Sequence, residues 1–217
     1  MTVADRQAFV LQHTRLQSPP LVPELYLHLA DEVTPIWQLV EADRGDADVP
    51  LPFWATAWAG GQAIARYLLD HPKEVSGRRV LDLATGSGLC AIAAVKAGAV
   101  DVLAVDVDPI SEAAVALNAD ANDVIVPFLR RDLLDAKPPS TDLILAGDVC
   151  YEKQLAERVL TWLRSAKARG ARVLLGDPNR NYLPREGLVR LADYHVPTTR
   201  EVEGMDSKVA AVFTFPD

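Results

Sequence analysis

Cysteine is nearly absent from the 217 residues: there are two, Cys90 and Cys150. They stand too far apart in the chain to form a C-x-x-C pair, and no His/Cys cluster shows metal-ligand spacing. Both thiols are expected to pack as small apolar side chains in a reducing compartment. Long apolar runs are missing too. No stretch approaches the roughly 20 apolar residues of a membrane span, and the N-terminus lacks the apolar core of a secretory signal. The cytoplasm is the expected compartment. Basic charge is also short, with 22 Lys and Arg against 30 Asp and Glu and a net charge of −8. Phosphate backbones demand Lys and Arg patches, so nucleic acid is not an expected partner. An acidic surface does tolerate a basic peptide segment or a lysine-bearing partner. Repeats and low-complexity tracts are lacking.

What is present is the composition of a globular chain, 49% hydrophobic and 24% charged, long enough to bury the core of one α/β unit. Residues 1–50 read as a leader packed on that unit. It holds a helix over 5–16, stopped by Ser18-Pro19-Pro20, and a strand over 24–30 where Leu25, Leu27 and Leu29 alternate with Tyr26 and His28. Trp37 and Leu39 suggest a second short strand or turn, and 43–48 an acidic loop. Residues 51–217 form the main domain. A helix over 58–69 is ended by His71-Pro72. Strands then alternate with helices: strand 79–83, helix 88–97, strand 101–105, helix 109–122, strand 125–130, strand 142–147, helix 152–167, strand 171–176. Parallel strands joined by helices are the economical packing for such alternation. Beyond a helical stretch near 184–192, two β-rich runs at 194–202 and 208–215 read as a hairpin closing the sheet edge.

The chemistry starts at V-L-D-L-A-T-G-S-G, residues 80–88. This is a buried strand running into a Gly-x-Gly turn at Gly86 and Gly88, with an apolar helix behind it. Glycine lets a backbone come close to a ligand, and a helix start offers unpaired N–H groups. Asp106 ends the next strand, placed to accept hydrogen bonds from ribose hydroxyls. The pattern marks a nucleotide-cofactor site. Gly86-x-Gly88-x-x-Ala91 also satisfies the dinucleotide fingerprint, so an NAD enzyme is the rival reading. Three features weigh against it. Asp82 puts a carboxylate inside the strand, suited to the amino group of S-adenosylmethionine rather than a pyrophosphate. Asp132 follows the third strand, where an adenine amine could be met. A fourth strand ends in Gly147-Asp148-Val149-Cys150-Tyr151. Acids at four strand ends would line the crevice with negative charge, unlike a site for two phosphates. The alternative for any one acid is a helix cap.

These motifs resemble the seven-β-strand class I methyltransferases. The resemblance narrows to the protein lysine methyltransferases of the electron-transfer flavoprotein β subunit. It is carried by Pro52-Phe53-Trp54-Ala55, Trp58-Ala59-Gly60-Gly61-Gln62, Arg66-Tyr67-Leu68-Leu69-Asp70, Asp106-Val107-Asp108-Pro109, Leu117-Asn118, the Asp148 segment and Gly176-Asp177-Pro178-Asn179-Arg180. Together these span residues 23–185. Ala84 departs from the glycine of many class I enzymes, and Ala59 from a proline of the eukaryotic relatives. The resemblance implies a Rossmann-like seven-stranded sheet, mostly parallel with an antiparallel C-terminal hairpin and helices on both faces. It implies S-adenosylmethionine as cofactor and a protein substrate, that β subunit or alternatively a ribosomal protein.

The expected cofactor contacts are Trp54, Trp58, Gly61, Asp82, Gly86, Gly88, Asp106, Val107, Asp132, Leu133 and Asp148. By analogy the Trp54–Trp58 segment encloses the methionine end, where electron-rich indoles favour a sulfonium; the bland alternative is that both indoles anchor the leader. Trp37 and Trp162 read as core. Asp148 and Tyr151 are the expected catalytic pair: Asp148 to orient the substrate ammonium, Tyr151 to shape a lysine channel. For Asp148 the alternative is a cap on the helix from Glu152, and for Asp177 an Asp-Pro turn rather than a substrate contact. The reading is a protein-lysine N-methyltransferase. A small-molecule N-methyltransferase and a non-catalytic cofactor-binding module are its competitors.

Overall fold

The computed structural model describes residues 2–32, 35–38, 52–200 and 204–216. Its centre is a seven-stranded sheet in the order β5-β4-β3-β6-β7-β9-β8. The strands are β3 (Arg79–Leu83), β4 (Asp101–Asp106), β5 (Phe128–Arg130), β6 (Leu143–Gly147), β7 (Arg172–Asp177), β8 (Val189–Pro197) and β9 (Ser207–Thr214). β5, β4, β3, β6 and β7 pair in parallel; β9 enters antiparallel between β7 and β8. The Rossmann-like sheet with an antiparallel end is therefore as the sequence implied. The central strands are apolar on both faces because helices cover both: Val80, Leu143, Leu145 and Leu174 belong to one core, and Leu81, Ile144, Val173 and Leu175 to the other.

From β3 the chain winds outward through β4 to β5, then returns to β6 on β3's other side. Such a reversal opens a crevice at the C-terminal ends of the strands. Helices α2 (Ala59–Asp70), α3 (Leu89–Lys96), α4 (Pro109–Ala121) and α5 (Lys153–Ala168) flank the sheet. α4 starts where local chemistry directs, with the Asp108 side chain accepting from the Ile110 N–H and Pro109 in the first turn. Glu152 caps α5 in the same way.

The leader holds helix α1 (Val3–His13) and an antiparallel pair, β1 (Arg15–Gln17) with β2 (Leu27–Leu29). A third apolar cluster joins Val10 of α1 and Ile36 to Trp54, Ile110, Ala113 and Ala114. Polar clamps reinforce it. Asn118 Oδ1 accepts from the His28 N–H at 2.6 Å, and Asn122 pairs with both backbone groups of Tyr26.

Several boundaries differ from the sequence expectation. The first helix stops at His13, and Arg15 and Leu16, read as helical, belong to strand β1. Thr14 begins the extended stretch, and pairing with β2 decides the rest. Trp37, read as part of a short strand or a turn, is in a helical turn over 35–38, while Leu39 and the loop 43–48 fall outside the described residues. Residues 125–127 do not join β5. The helix expected near 184–192 is absent: β8 already runs from Val189, its residues paired across to β9. A short segment at a sheet edge takes its conformation from the ladder it joins, whatever its own helical pattern.

Candidate active site

The acids at the strand ends each hold a defined set of partners. Asp82 is 2% exposed. Its Oδ2 accepts from the Thr85 hydroxyl at 2.5 Å and the Ala91 N–H at 3.0 Å. Ala91 is in the first turn of α3, whose N-cap is Gly88 and offers no side chain. Asp82 thus caps that helix from the strand and braces the glycine turn. Burial, outweighing those two hydrogen bonds, pushes its carboxyl up to about 7, with the charge of Asp106 adding to the rise.

This shift has a direct consequence for stability. Folded Asp82 keeps its proton in a range where the unfolded chain, with an ordinary value of 3.8, has lost it. Stability therefore falls as pH rises through that window and stays lower above about 7. Asp82→Asn removes the effect while retaining an amide oxygen as acceptor. The melting temperature of the variant minus that of the wild type should climb from pH 5 to pH 8. A flat difference would show that Asp82 titrates normally.

The turn itself takes left-handed backbone, with φ of 53° at Gly86 and 84° at Gly88. Ala84, the departure from glycine noted above, sits at φ 55°, a conformation with a steric cost for alanine. Asp106 Oδ2 accepts from the Gly86 N–H at 2.8 Å, and Oδ1 accepts from Val107 and Asp108 at 2.7 and 3.0 Å. Burial raises its pKa against these three bonds. Val107 beside it is 64% exposed, whereas Leu133 is buried. Asp132 lies further out, with Oδ1 on the Leu134 N–H and Oδ2 paired to Arg158 at 3.0 Å.

Asp148, at the end of β6, adopts φ 59°. Its side chain is 9% exposed. Oδ2 accepts from the Gly61 N–H at 2.9 Å; Oδ1 accepts from Arg180 Nε and Nη2 at 3.1 and 2.6 Å. Glu152 caps α5, so Asp148 does not; it serves α2, whose N-cap Trp58 provides no side-chain bond. The close approach is made by glycines. A Cβ on Gly60 would lie 2.3 Å from the Gly176 carbonyl oxygen and 2.7 Å from Asp148 Oδ2. Gly60 therefore meets the sheet. Asp177 is fully buried, with Oδ1 on the Arg180 N–H at 2.6 Å and Oδ2 without a hydrogen-bond partner. Burial first, then the Asp148 charge, pushes it up to about 6.

The aromatics divide. Tyr151, Phe53 and Trp58 form a row, with ring centroids 5.1 and 5.7 Å apart, and the Arg180 guanidinium lies 5.6 Å from the Trp58 ring. Tyr151 is 44% exposed at the crevice mouth. Trp54 is 1% exposed in the leader cluster, edge-on to Phe9. Its backbone, not its indole, approaches the turn: the Phe53 carbonyl and Trp54 Cα border Gly86. Trp162 is core, as read, and Cys90 and Cys150 are buried free thiols. Sequence reasoning gave Arg180 and Phe53 no role. Their only signal was membership of the G-D-P-N-R and P-F-W-A segments; the contacts that matter are 32 positions away in the chain for Arg180 and Asp148.

Among the described residues, no group of three or more His, Cys, Asp or Glu could hold a metal ion, and no helix is long and apolar enough to cross a membrane.

This sheet order with a glycine turn and acid-lined crevice is that of a class I methyltransferase. Solved structures share the fold. Magnesium protoporphyrin IX methyltransferase from Synechocystis PCC 6803, with bound S-adenosylmethionine, matches with a TM-score of 0.54 at 17% identity, over 86% of this chain and 98% of that one. The ribosomal protein L11 methylase of Lactobacillus delbrueckii subsp. bulgaricus matches at 0.50 and 22%, over 73% and 79%. The family model of ribosomal protein L11 methyltransferase (PrmA) matches residues 64–150. Sequence relatives are nearer and cover more. The electron transfer flavoprotein beta subunit lysine methyltransferase of Xenopus laevis is 37% identical, over 96% of this chain and 86% of its own length. That of Danio rerio is 35% identical, over 97% and 83%. The chain belongs to the electron transfer flavoprotein beta subunit lysine methyltransferase family, and it is a methyltransferase.

Proposed function

We propose that this enzyme transfers a methyl group from S-adenosylmethionine to lysine side chains of the electron-transfer flavoprotein β subunit. The observation that carries the reading is Asp148. It is an enclosed carboxylate at the end of β6, holding the guanidinium of Arg180, which itself lies over the Trp58 ring. Carboxylate plus π-face is chemistry for an alkylammonium.

The residues present fit the cofactor. Gly86 and Gly88 open the turn, and Asp106, bonded to the Gly86 N–H, would meet the ribose. Val107 and Asp106 would hold the ribose, Asp132 and Leu133 the adenine, and Gly61 and Trp58 the methionine end. Asp82 would brace the turn through Thr85 and Ala91, and Trp54 would fix the placement of the segment over it. When bound, S-adenosylmethionine supplies a methyl group on a cationic sulfur that leaves readily.

The protein's own task is the amine. A lysine with a pKa near 10.4 costs about 4.6 kcal/mol to deprotonate at pH 7. Asp148 attracts the ammonium and aims it; the same carboxylate then accepts the amine's hydrogen bonds as the proton leaves through water. Tyr151 and Phe53 wall the entry. Positioning contributes more than general-base strength in such a site.

The test uses purified β subunit, ribosomal proteins and a protein-free metabolite extract, each with labelled S-adenosylmethionine. Label on β-subunit lysines, located by mass spectrometry, is the expected result; label only among metabolites, or none, would overturn the reading. In melts, S-adenosylmethionine at a hundred times its dissociation constant should add about 2.7 kcal/mol, and NAD nothing. Asp106→Ala should weaken that binding by roughly tenfold or more, the scale of a lost charge-assisted hydrogen bond.

A further inference from the structure

Both oxygens of Asp148 are already engaged inside the protein. Oδ2 accepts from Gly61, a backbone N–H locked in α2 by the contact of Gly60 with Gly176. Oδ1 accepts from Arg180 through two nitrogens. A substrate ammonium approaching this carboxylate therefore competes with these donors for its charge and its remaining lone pair. The helix backbone cannot leave without moving α2. The side chain of Arg180, on the segment after β7, can turn about its own torsions.

The place Arg180 occupies is itself informative. Its guanidinium lies between the Asp148 carboxylate and the Trp58 ring, at 5.6 Å from the ring centroid, with the side chain 16% exposed. A cation flanked by a carboxylate and an indole is the arrangement that would receive an alkylammonium. A buried pair is costly to break when one charge is left unpaired. Here a second acceptor is at hand: Asp177 Oδ1 already takes the Arg180 backbone N–H, and Oδ2 is buried with no hydrogen-bond partner.

We infer that Arg180 is a latch standing in for the substrate's ammonium: it occupies Asp148 in the free enzyme and swings to Asp177 Oδ2 when a lysine enters. The inference rests on the lysine reading of Asp148. Its physical content is a competition, in which the amine site is open only while Arg180 is away. A site open one tenth of the time binds about tenfold more weakly than one always open. Arg180 thereby selects for ligands that bring enough binding energy from elsewhere on a protein surface, and disfavours small free amines.

The experiment measures kcat and KM for the purified β subunit, with melts to establish folding. Arg180→Gln removes the competing charge and should lower KM by about tenfold. Arg180→Lys, whose ammonium can reoccupy Asp148, should restore KM toward the wild-type value; a strut that merely needs the planar fork would not be rescued this way. Asp177→Asn keeps an acceptor for the Arg180 N–H but removes the landing charge, so KM should rise. An unchanged or raised KM in Arg180→Gln overturns the latch, and should that variant fail to fold, an unchanged or lowered KM in Asp177→Asn does so instead. If the wild-type enzyme methylates no lysine, the lysine reading fails first and the latch with it; wild-type activity with unmoved KM values sinks the latch alone.

Discussion

Asp148→Asn should lower methyl transfer to the protein substrate about tenfold to a hundredfold, the scale of a misplaced reacting group, while changing S-adenosylmethionine affinity little. The substitution nearly preserves volume. An amide oxygen can still accept from the Gly61 N–H, so the start of α2 keeps its cap. What disappears is the charge that draws an ammonium to the end of β6. The acids proposed for the cofactor are elsewhere: Asp106 is tied to the glycine turn and Asp132 to Arg158. Calorimetry on the cofactor and rate measurements with purified substrate separate the two effects. Tyr151→Phe should be milder, because the ring keeps its contact with Phe53. Full activity in Asp148→Asn would reduce the residue to a helix cap and remove it from the catalytic assignment.

The other large effect is on stability, and it distinguishes two adjacent glycines. Gly60→Ala should cost about 3 kcal/mol or more, the upper range for overpacking. Its new Cβ would stand 2.3 Å from the Gly176 carbonyl oxygen, and backbone on a central strand cannot step aside. Gly176→Ala meets the same contact from the other side, 2.1 Å from the Gly60 oxygen. Gly61→Ala is the control. Its Cβ would find nothing nearer than 3.8 Å, and alanine favours a helix over glycine by up to about 1 kcal/mol. Urea denaturation of the three variants should therefore show two deep losses and one neutral or slightly stabilised protein. Equal behaviour of Gly60→Ala and Gly61→Ala would mean that α2 does not pack this closely on β6 and β7.

Much of the site could be read along the chain because its determinants are local. The run into Gly86 and Gly88 alternates as a strand and breaks where glycine permits positive φ. Asp106, Asp132 and Asp148 follow strands, and consecutive parallel strands necessarily deliver their C-terminal residues to one edge of a sheet. What was misread depended on partners distant in sequence. Residues 184–192 carry a helical pattern, yet β9 is available to pair from Val189 onward, and the ladder prevails. Trp54 and Trp58 are four positions apart, but the turn of 3-10 helix at Phe53–Ala55 sends one indole into the leader cluster and leaves the other under Arg180.

The sequence by itself determined the α/β class, the glycine turn, the order of the strand-end acids and the family, since each follows from local period, backbone freedom or a contiguous motif. Only the tertiary structure decided which groups those acids hold. Asp82 and Asp148 each cap a helix that lacks a side-chain cap of its own, and Arg180 occupies the carboxylate assigned to the substrate. The physical reason is that hydrogen bonds and ion pairs of buried charge are satisfied across the sheet edge. For Asp148 those partners are chosen by the packing of Gly60 on Gly176, not by proximity in the chain.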